Sequence, residues 1–145
     1  NKTKTMATTT ATITLSSADI QSDVLALTKQ ATLNKGGTTT GLDQTTGLNK
    51  VIYTATTNIV LLDSTALGVG KAAKVYVANK STDASEYITL TINAQIVGRL
   101  YAGDWMFIPW SQSDDAGNIE LAPSVATALP VEYMMIHEGA TQTSA

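Results

Sequence analysis

The chain has no cysteine, a single histidine, a single phenylalanine and three prolines among its 145 residues, and only 14% of it is charged. Without thiols it can have no disulfide framework, no thiolate metal site and no cysteine nucleophile. Burial, hydrogen bonds and assembly must then hold the fold. One imidazole leaves any metal site to rest on carboxylates, and as the base for a serine nucleophile it has no obvious orienting partner. Long apolar runs are missing too. Runs such as Ile59-Val60-Leu61-Leu62 are only four residues long, against the roughly 18 a membrane helix needs. Basic clusters are also lacking: nine scattered Lys and Arg, a net charge of −3 and a pI near 4.9 argue against nucleic acid, whose recognition depends on grouped cations displacing phosphate counterions. The start, Asn1-Lys2-Thr3-Lys4-Thr5-Met6, is basic, but threonines follow where a secretory leader would place its apolar stretch, so a non-secretory chain is expected.

Threonine takes the place of the missing charge. It occurs 24 times, and it is β-branched, polar and suited to a half-solvated strand face. Apolar residues still make up 43% of the chain, enough for one domain that buries roughly two thirds of its unfolded surface.

From Val51 onward, strands and turns alternate closely. Strands are expected at Val51–Thr54, Asn58–Asp63, Lys74–Asn79, Glu86–Asn93, Gln95–Tyr101, Asp104–Pro109, Asn118–Ala122 and Val131–His137. Turn chemistry separates them at Asp63-Ser64, Asn79 to Asp83, Asn93-Ala94, Ala102-Gly103, Asp114 to Asn118 and Pro123-Ser124. This spacing predicts a mainly β, single-domain β-sandwich or jelly roll of about eight strands. Thr12 to Leu15 adds a short ninth strand. Val75, Val77, Ile88, Leu90 and Ile92 form the inward set, and Tyr87, Thr89 and Thr91 face the other way.

One helix, over about residues 17–33, is expected ahead of the strands. Ser16 or Ser17 would cap it, Asp19 would sit in its first turn, and Asn34, Gly36 and Gly37 would end it. Residues 1–10 read as an extended Thr-rich arm, 11–138 as the domain, and 139–145 as a loose tail. Between Thr38 and Asn49 the sequence echoes itself, Thr39-Thr40-Gly41-Leu42 against Thr45-Thr46-Gly47-Leu48. Two copies do not build a solenoid, so a long surface loop is expected.

Candidate chemistry resolves into ordinary structure at each point. By period 2, His137 and Glu132 fall on opposite strand faces, which leaves His137 as a strand-end surface residue and not a catalytic one. Ser113-Asp114-Asp115-Ala116-Gly117-Asn118, with Asp104 and Glu120 elsewhere, lacks the alternating ligands and closing Glu of a calcium loop and reads as an acidic turn. Asp104 is expected to bond nearby backbone amides. Gly68-Val69-Gly70-Lys71 fails as a phosphate loop, because Thr65 stands where the first glycine belongs and Ala72 follows the lysine. No cofactor, metal or catalytic residue is expected.

The functional potential lies in aromatics. Tyr101, Trp105, Phe107 and Trp110 crowd one strand and its approach, with Trp105, Phe107 and Pro109 on one face and Met106, Ile108 and Trp110 on the other. Apolar character on both faces implies cover on both sides, from the core on one and from the core or a partner on the other. With Thr8, Thr9 and Thr10 of the arm and Leu42 and Leu48 of the echoing loop, these are the candidate interface residues.

The order of certain pieces carries a resemblance. They are the Thr-rich start leading into Ile13-Thr14-Leu15-Ser16-Ser17-Ala18-Asp19-Ile20, then Lys74-Val75-Tyr76-Val77-Ala78-Asn79-Lys80-Ser81, then Gly98 to Trp105 with Ile108-Pro109, and Val131-Glu132-Tyr133-Met134. In this order the chain resembles the small β-rich virion proteins of tailed bacteriophages of marine and cyanobacterial type. The resemblance implies an enzymatically inert decoration or cement subunit on the capsid surface, trimeric, partnered with the major capsid protein or other virion proteins. With the charge and hydropathy above, no nucleic-acid or membrane partner is expected. The alternative is a receptor- or carbohydrate-binding module of a tail fibre or adhesin, for which Trp110, followed by Ser111-Gln112-Ser113, is the candidate platform. A small hydrolase of the cupin kind ranks last, since such sites use several histidines.

Overall fold

A computed structural model describes residues 8–64, 72–110 and 117–138. Residues 1–7 of the expected arm, the 139–145 tail, the glycine-rich 68–71 segment and most of the acidic turn lie outside that range. The described chain is entirely strand and loop. β1 (Thr10–Ser17) and β2 (Leu25–Thr32) form a two-stranded antiparallel hairpin. β3 (Gln44–Thr45), β4 (Asn49–Tyr53), β6 (Ala73–Asn79), β9 (Trp105–Trp110) and β11 (Leu129–His137) make a five-stranded sheet. β5 (Ile59–Leu62), β7 (Tyr87–Ile92), β8 (Gln95–Tyr101) and β10 (Ile119–Pro123) make a four-stranded sheet in the order β5-β10-β7-β8. All pairings are antiparallel.

Alternation builds the core. In β6, Val75 and Val77 are fully buried, as are Leu129 and Val131 in β11, Ile88 in β7, and Ile119 and Leu121 in β10. One apolar cluster holds these residues with Leu90, Tyr53, Trp110 and Met135, and so draws on both larger sheets. Each buried aliphatic side chain contributes about 1.5–3 kcal/mol relative to exposure.

Polar pins complete the union of the sheets. Asn79, at the end of β6, is 0% exposed; its side-chain amide donates to the Leu100 carbonyl of β8 at 2.9 Å, and its Oδ1 accepts from the Ser81 amide at 2.9 Å. Its backbone N–H donates to Asp104 and its carbonyl accepts from Gly103. Asp104 meets expectation as a turn residue, its Oδ2 accepting the Tyr101 amide at 2.9 Å. The chain changes sheets at this turn, so β8 and β9 are consecutive in sequence but border different sheets.

Every strand expected from Val51 onward is present. The helix over 17–33 is not: that segment supplies the end of β1, a loop and all of β2. The capping signal was real but closes a turn. Ser17 Oγ accepts the Asp19 amide at 3.3 Å and the Ile20 amide at 3.1 Å, the pattern of an N-cap with no helix behind it. Beyond the turn, Leu25-Ala26-Leu27-Thr28-Lys29-Gln30-Ala31-Thr32 follows period 2 and finds its partner in the threonine-rich β1.

Three smaller expectations also change. His137 is buried at the end of β11, on the inward face with Met135, and its Nδ1 lies 2.9 Å from the Glu138 carbonyl. Thr91 is buried and Ile92 only half-buried, next to a register shift between Leu90 and Thr91 in the pairing with β8. Such a bulge disturbs the local ladder. The echoing loop is partly sheet: β3 pairs with β11, and Thr45 and Thr46 exchange side-chain hydrogen bonds with the Met135 backbone. Leu42 is accordingly buried at 1% exposure, whereas Leu48 is 61% exposed.

Candidate protein-interaction site

The hairpin is the least covered element of the molecule, and its two faces differ. Ala11 stands opposite Ala31, Ile13 opposite Lys29, Leu15 opposite Leu27 and Ser17 opposite Leu25, which makes one face largely apolar. The other carries Thr10, Thr12, Thr14, Ser16, Ala26, Thr28, Gln30 and Thr32, with Gln30 bonded to Thr12 across the ladder at 3.2 Å. Ile13 is 40% and Leu15 45% exposed on the apolar face. An isolated two-stranded hairpin is marginal in water, so this apolar face is the natural place for stabilising cover.

The base of the hairpin is firmly held. Leu33, directly after β2, is 3% exposed, and its amide donates to the Thr9 carbonyl while its carbonyl accepts from Leu42. Lys35 pairs with Asp43 at 3.1 Å. The Glu138 carboxylate accepts the Gly36 amide at 3.1 Å and the Ala72 amide at 2.6 Å, tying the segment after the hairpin to the end of the five-stranded sheet.

Between the hairpin and the outer face of that sheet runs a trough of about 950 Å³. Ala11, Ile13 and Leu15 form one wall, and Trp105, Phe107 and Pro109 form the other. A smaller cavity of about 360 Å³ shares Ala11, Leu33, Tyr76 and Phe107 with it and extends past Thr9, Thr10 and Leu48 to Met134 and Ile136. Tyr76 stands between the two, its hydroxyl donating to Glu132 Oε1 at 2.9 Å. Burial, and then that carboxylate, raise the Tyr76 pKa, so the phenol stays a neutral donor here.

Five of the candidate interface residues therefore converge: Thr9, Thr10, Leu48, Trp105 and Phe107 all line these connected cavities. Thr8 is exposed just before them. Tyr101 lies apart on β8, its exposed ring tilted by 51° against that of half-buried Tyr87, with 5.2 Å between centroids and the Arg99 guanidinium 4.1 Å from the Tyr87 ring centroid. Leu42 and Trp110 belong to the interior. Trp110 is 5% exposed and its indole N–H donates to the Gly117 carbonyl at 3.0 Å, so it cannot stack on a sugar without leaving the core.

The sequence reading missed Ile13, Leu15, Leu27, Ile20 and Val24 as surface residues, because a helix over 17–33 would have turned Ile20, Val24 and Leu27 inward and left the short strand of Ile13 and Leu15 without its partner. The period-2 pattern of residues 25–32 was the signal that could have found them. Among the described residues no group of His, Asp and Glu is arranged to hold a metal ion, and no helix is long and apolar enough to cross a membrane. No protein family, curated protein or solved structure matches the chain.

Proposed function

We propose that this protein is a non-enzymatic structural subunit of a virion, a decoration or cement protein that stabilises a phage head through many repeated protein–protein contacts. In this reading the two larger sheets pack as a β-sandwich, the subunits form a homo-oligomer with a trimer favoured, and the hairpin reaches a neighbour. The observation that carries the reading is the uncovered apolar trough beneath a hairpin whose own apolar face is half exposed. Surfaces of that kind mark interaction sites, and modest contacts repeated by symmetry give avidity without a deep pocket. The hydroxyl-rich opposite face of the hairpin and the low charge of the chain suit a molecule designed to dock. The alternative, a receptor- or carbohydrate-binding module, loses its platform with Trp110 buried.

Attachment to purified particles tests the proposal. The double variant Leu15→Ser with Trp105→Ser removes apolar groups from both walls of the trough, at positions 45% and 53% exposed, so the fold is retained. Loss of the subunit from particles, with an unchanged far-UV circular dichroism spectrum, is expected. Full occupancy of particles by the variant, or no attachment by the native chain, would overturn the reading.

A further inference from the structure

The charge pattern of the trough selects its occupant. Lys29 and Lys74 both line it, and no acidic side chain does. Among the described residues neither lysine is ion-paired. The hairpin's own tip has the opposite character: Ala18-Asp19-Ile20-Gln21-Ser22-Asp23-Val24 carries two carboxylates and no cation. It also holds two of the most exposed large apolar side chains of the described chain, Ile20 at 73% and Val24 at 69%. An apolar cleft with basic edges and an acidic loop with apolar prongs are complementary in both respects, and such complementarity sets register and partner choice.

The tip cannot fill its own trough. The ladder runs unbroken from Thr10 opposite Thr32 to Ser17 opposite Leu25, about 25 Å at the usual strand rise. The trough lies along this ladder, from Ala11, Ala31 and Leu33 at the base to Leu15, and the tip continues beyond it. A paired ladder of this kind does not fold back on itself. We infer that the trough receives the hairpin tip of a second copy of this chain, seating Ile20 and Val24 against Trp105, Phe107 and Pro109, with Asp19 and Asp23 beside Lys29 and Lys74. The inference rests on the structural-subunit reading and specifies what holds the copies together. Each subunit gives one tip and accepts another. The contact is thus head-to-tail, and it closes into a ring where the rotation permits.

Two measurements on the purified full chain test this. In light scattering across a concentration series, the native chain associates; Asp19→Lys with Asp23→Lys, or Lys29→Glu with Lys74→Glu, weakens association by roughly a hundredfold through like-charge contact. All four changes in one chain restore it. Because the chain has no cysteine, single introduced thiols report geometry cleanly. A mixture of Ile20→Cys and Trp105→Cys chains forms a disulfide-linked pair on oxidation, and neither variant does so alone. A monomeric native chain, a four-change variant no tighter than its halves, or Ile20→Cys linking to itself would overturn the inference, the last by showing a two-fold contact between tips. A native monomer that still attaches to particles would defeat this inference and leave the virion reading standing. A ring that never attaches would do the reverse.

Discussion

Replacing Asn79 with alanine should cost about 3 kcal/mol, and the geometry around it shows why. The side chain is fully buried and makes two good hydrogen bonds, to the Leu100 carbonyl and from the Ser81 amide, both 2.9 Å, with a longer one to the Glu86 carbonyl at 3.4 Å. Each good bond contributes about 1 kcal/mol net, and a buried polar group stranded by the truncation costs a further ~1–3 kcal/mol. Since a kcal/mol lowers the melting temperature of a chain this size by about 4 °C, a fall of roughly 12 °C is expected. Urea unfolding at one fixed protein concentration is the better assay, followed by the fluorescence of buried Trp110. With a slope of about 2 kcal/mol/M the midpoint should drop by about 1.5 M, with the slope unchanged. Asn79→Asp separates hydrogen bonding from packing. It keeps an acceptor for Ser81, loses both donors and turns a carboxylate toward the Leu100 and Glu86 carbonyls, which raises its folded pKa. Protonation relieves that repulsion, so its deficit is smallest below the unfolded value of about 3.9 and grows as pH rises through the folded pKa. A midpoint for Asn79→Ala within experimental error of the native one, or an Asn79→Asp deficit independent of pH, would refute the view that this side chain pins the two sheets.

Two further outcomes follow from the same structure. Ala94 sits at φ +62° beside Asn93 at +54° in the two-residue turn between β7 and β8, a left-handed conformation that costs an alanine about 1 kcal/mol. Ala94→Gly is therefore expected to raise the urea midpoint, an unusual direction for a glycine substitution. The Tyr53 pKa is raised by burial and then by neighbouring Tyr133, and the Tyr76 pKa by burial and then by Glu132. Raised folded values mean that the stability these phenols contribute is complete below the ordinary tyrosine value of 10.0 and is lost as pH climbs through the folded values. Absorbance at alkaline pH should show two late-titrating phenols, one of them absent in Tyr53→Phe, and two ordinary-range transitions at those positions would contradict the assignment.

Where residues alternate and turn chemistry brackets them, the sequence was readable almost to the residue: Gln95 to Tyr101 was expected as a strand and is one, and Lys74 to Asn79 differs from β6 only by Ala73. Local signals that serve two structures were not decisive. Ser17 followed by Asp19 satisfies a helix start and a hairpin turn equally well, and what decides between them is the partner strand, whose nearest rung joins Ser17 to Leu25, eight residues on. Burial imposed from a distance was equally hidden. Leu42 and Leu48 occupy equivalent places in the echoing sequence, yet only Leu42 meets the carbonyl of Leu33 and closes the hairpin base. The aromatic strand was legible as two-sided, but nothing in its own residues said that Trp110 would be satisfied by Gly117 and Trp105 left half bare.

The hairpin's anchorage has a mechanical consequence. A terminal arm held at its free end can be peeled away one residue at a time. Here the reaching end is a closed loop, and of the two strands behind it β2 runs on through Leu33 into the folded domain, with the Leu33 amide bonded to the Thr9 carbonyl just ahead of β1. Tension applied at the tip therefore runs down the β2 backbone into Leu33, leaving the rungs to β1 almost unstressed. A neighbour gripping that loop pulls on the folded domain itself, so such a joint would fail at the grip before the arm unravelled.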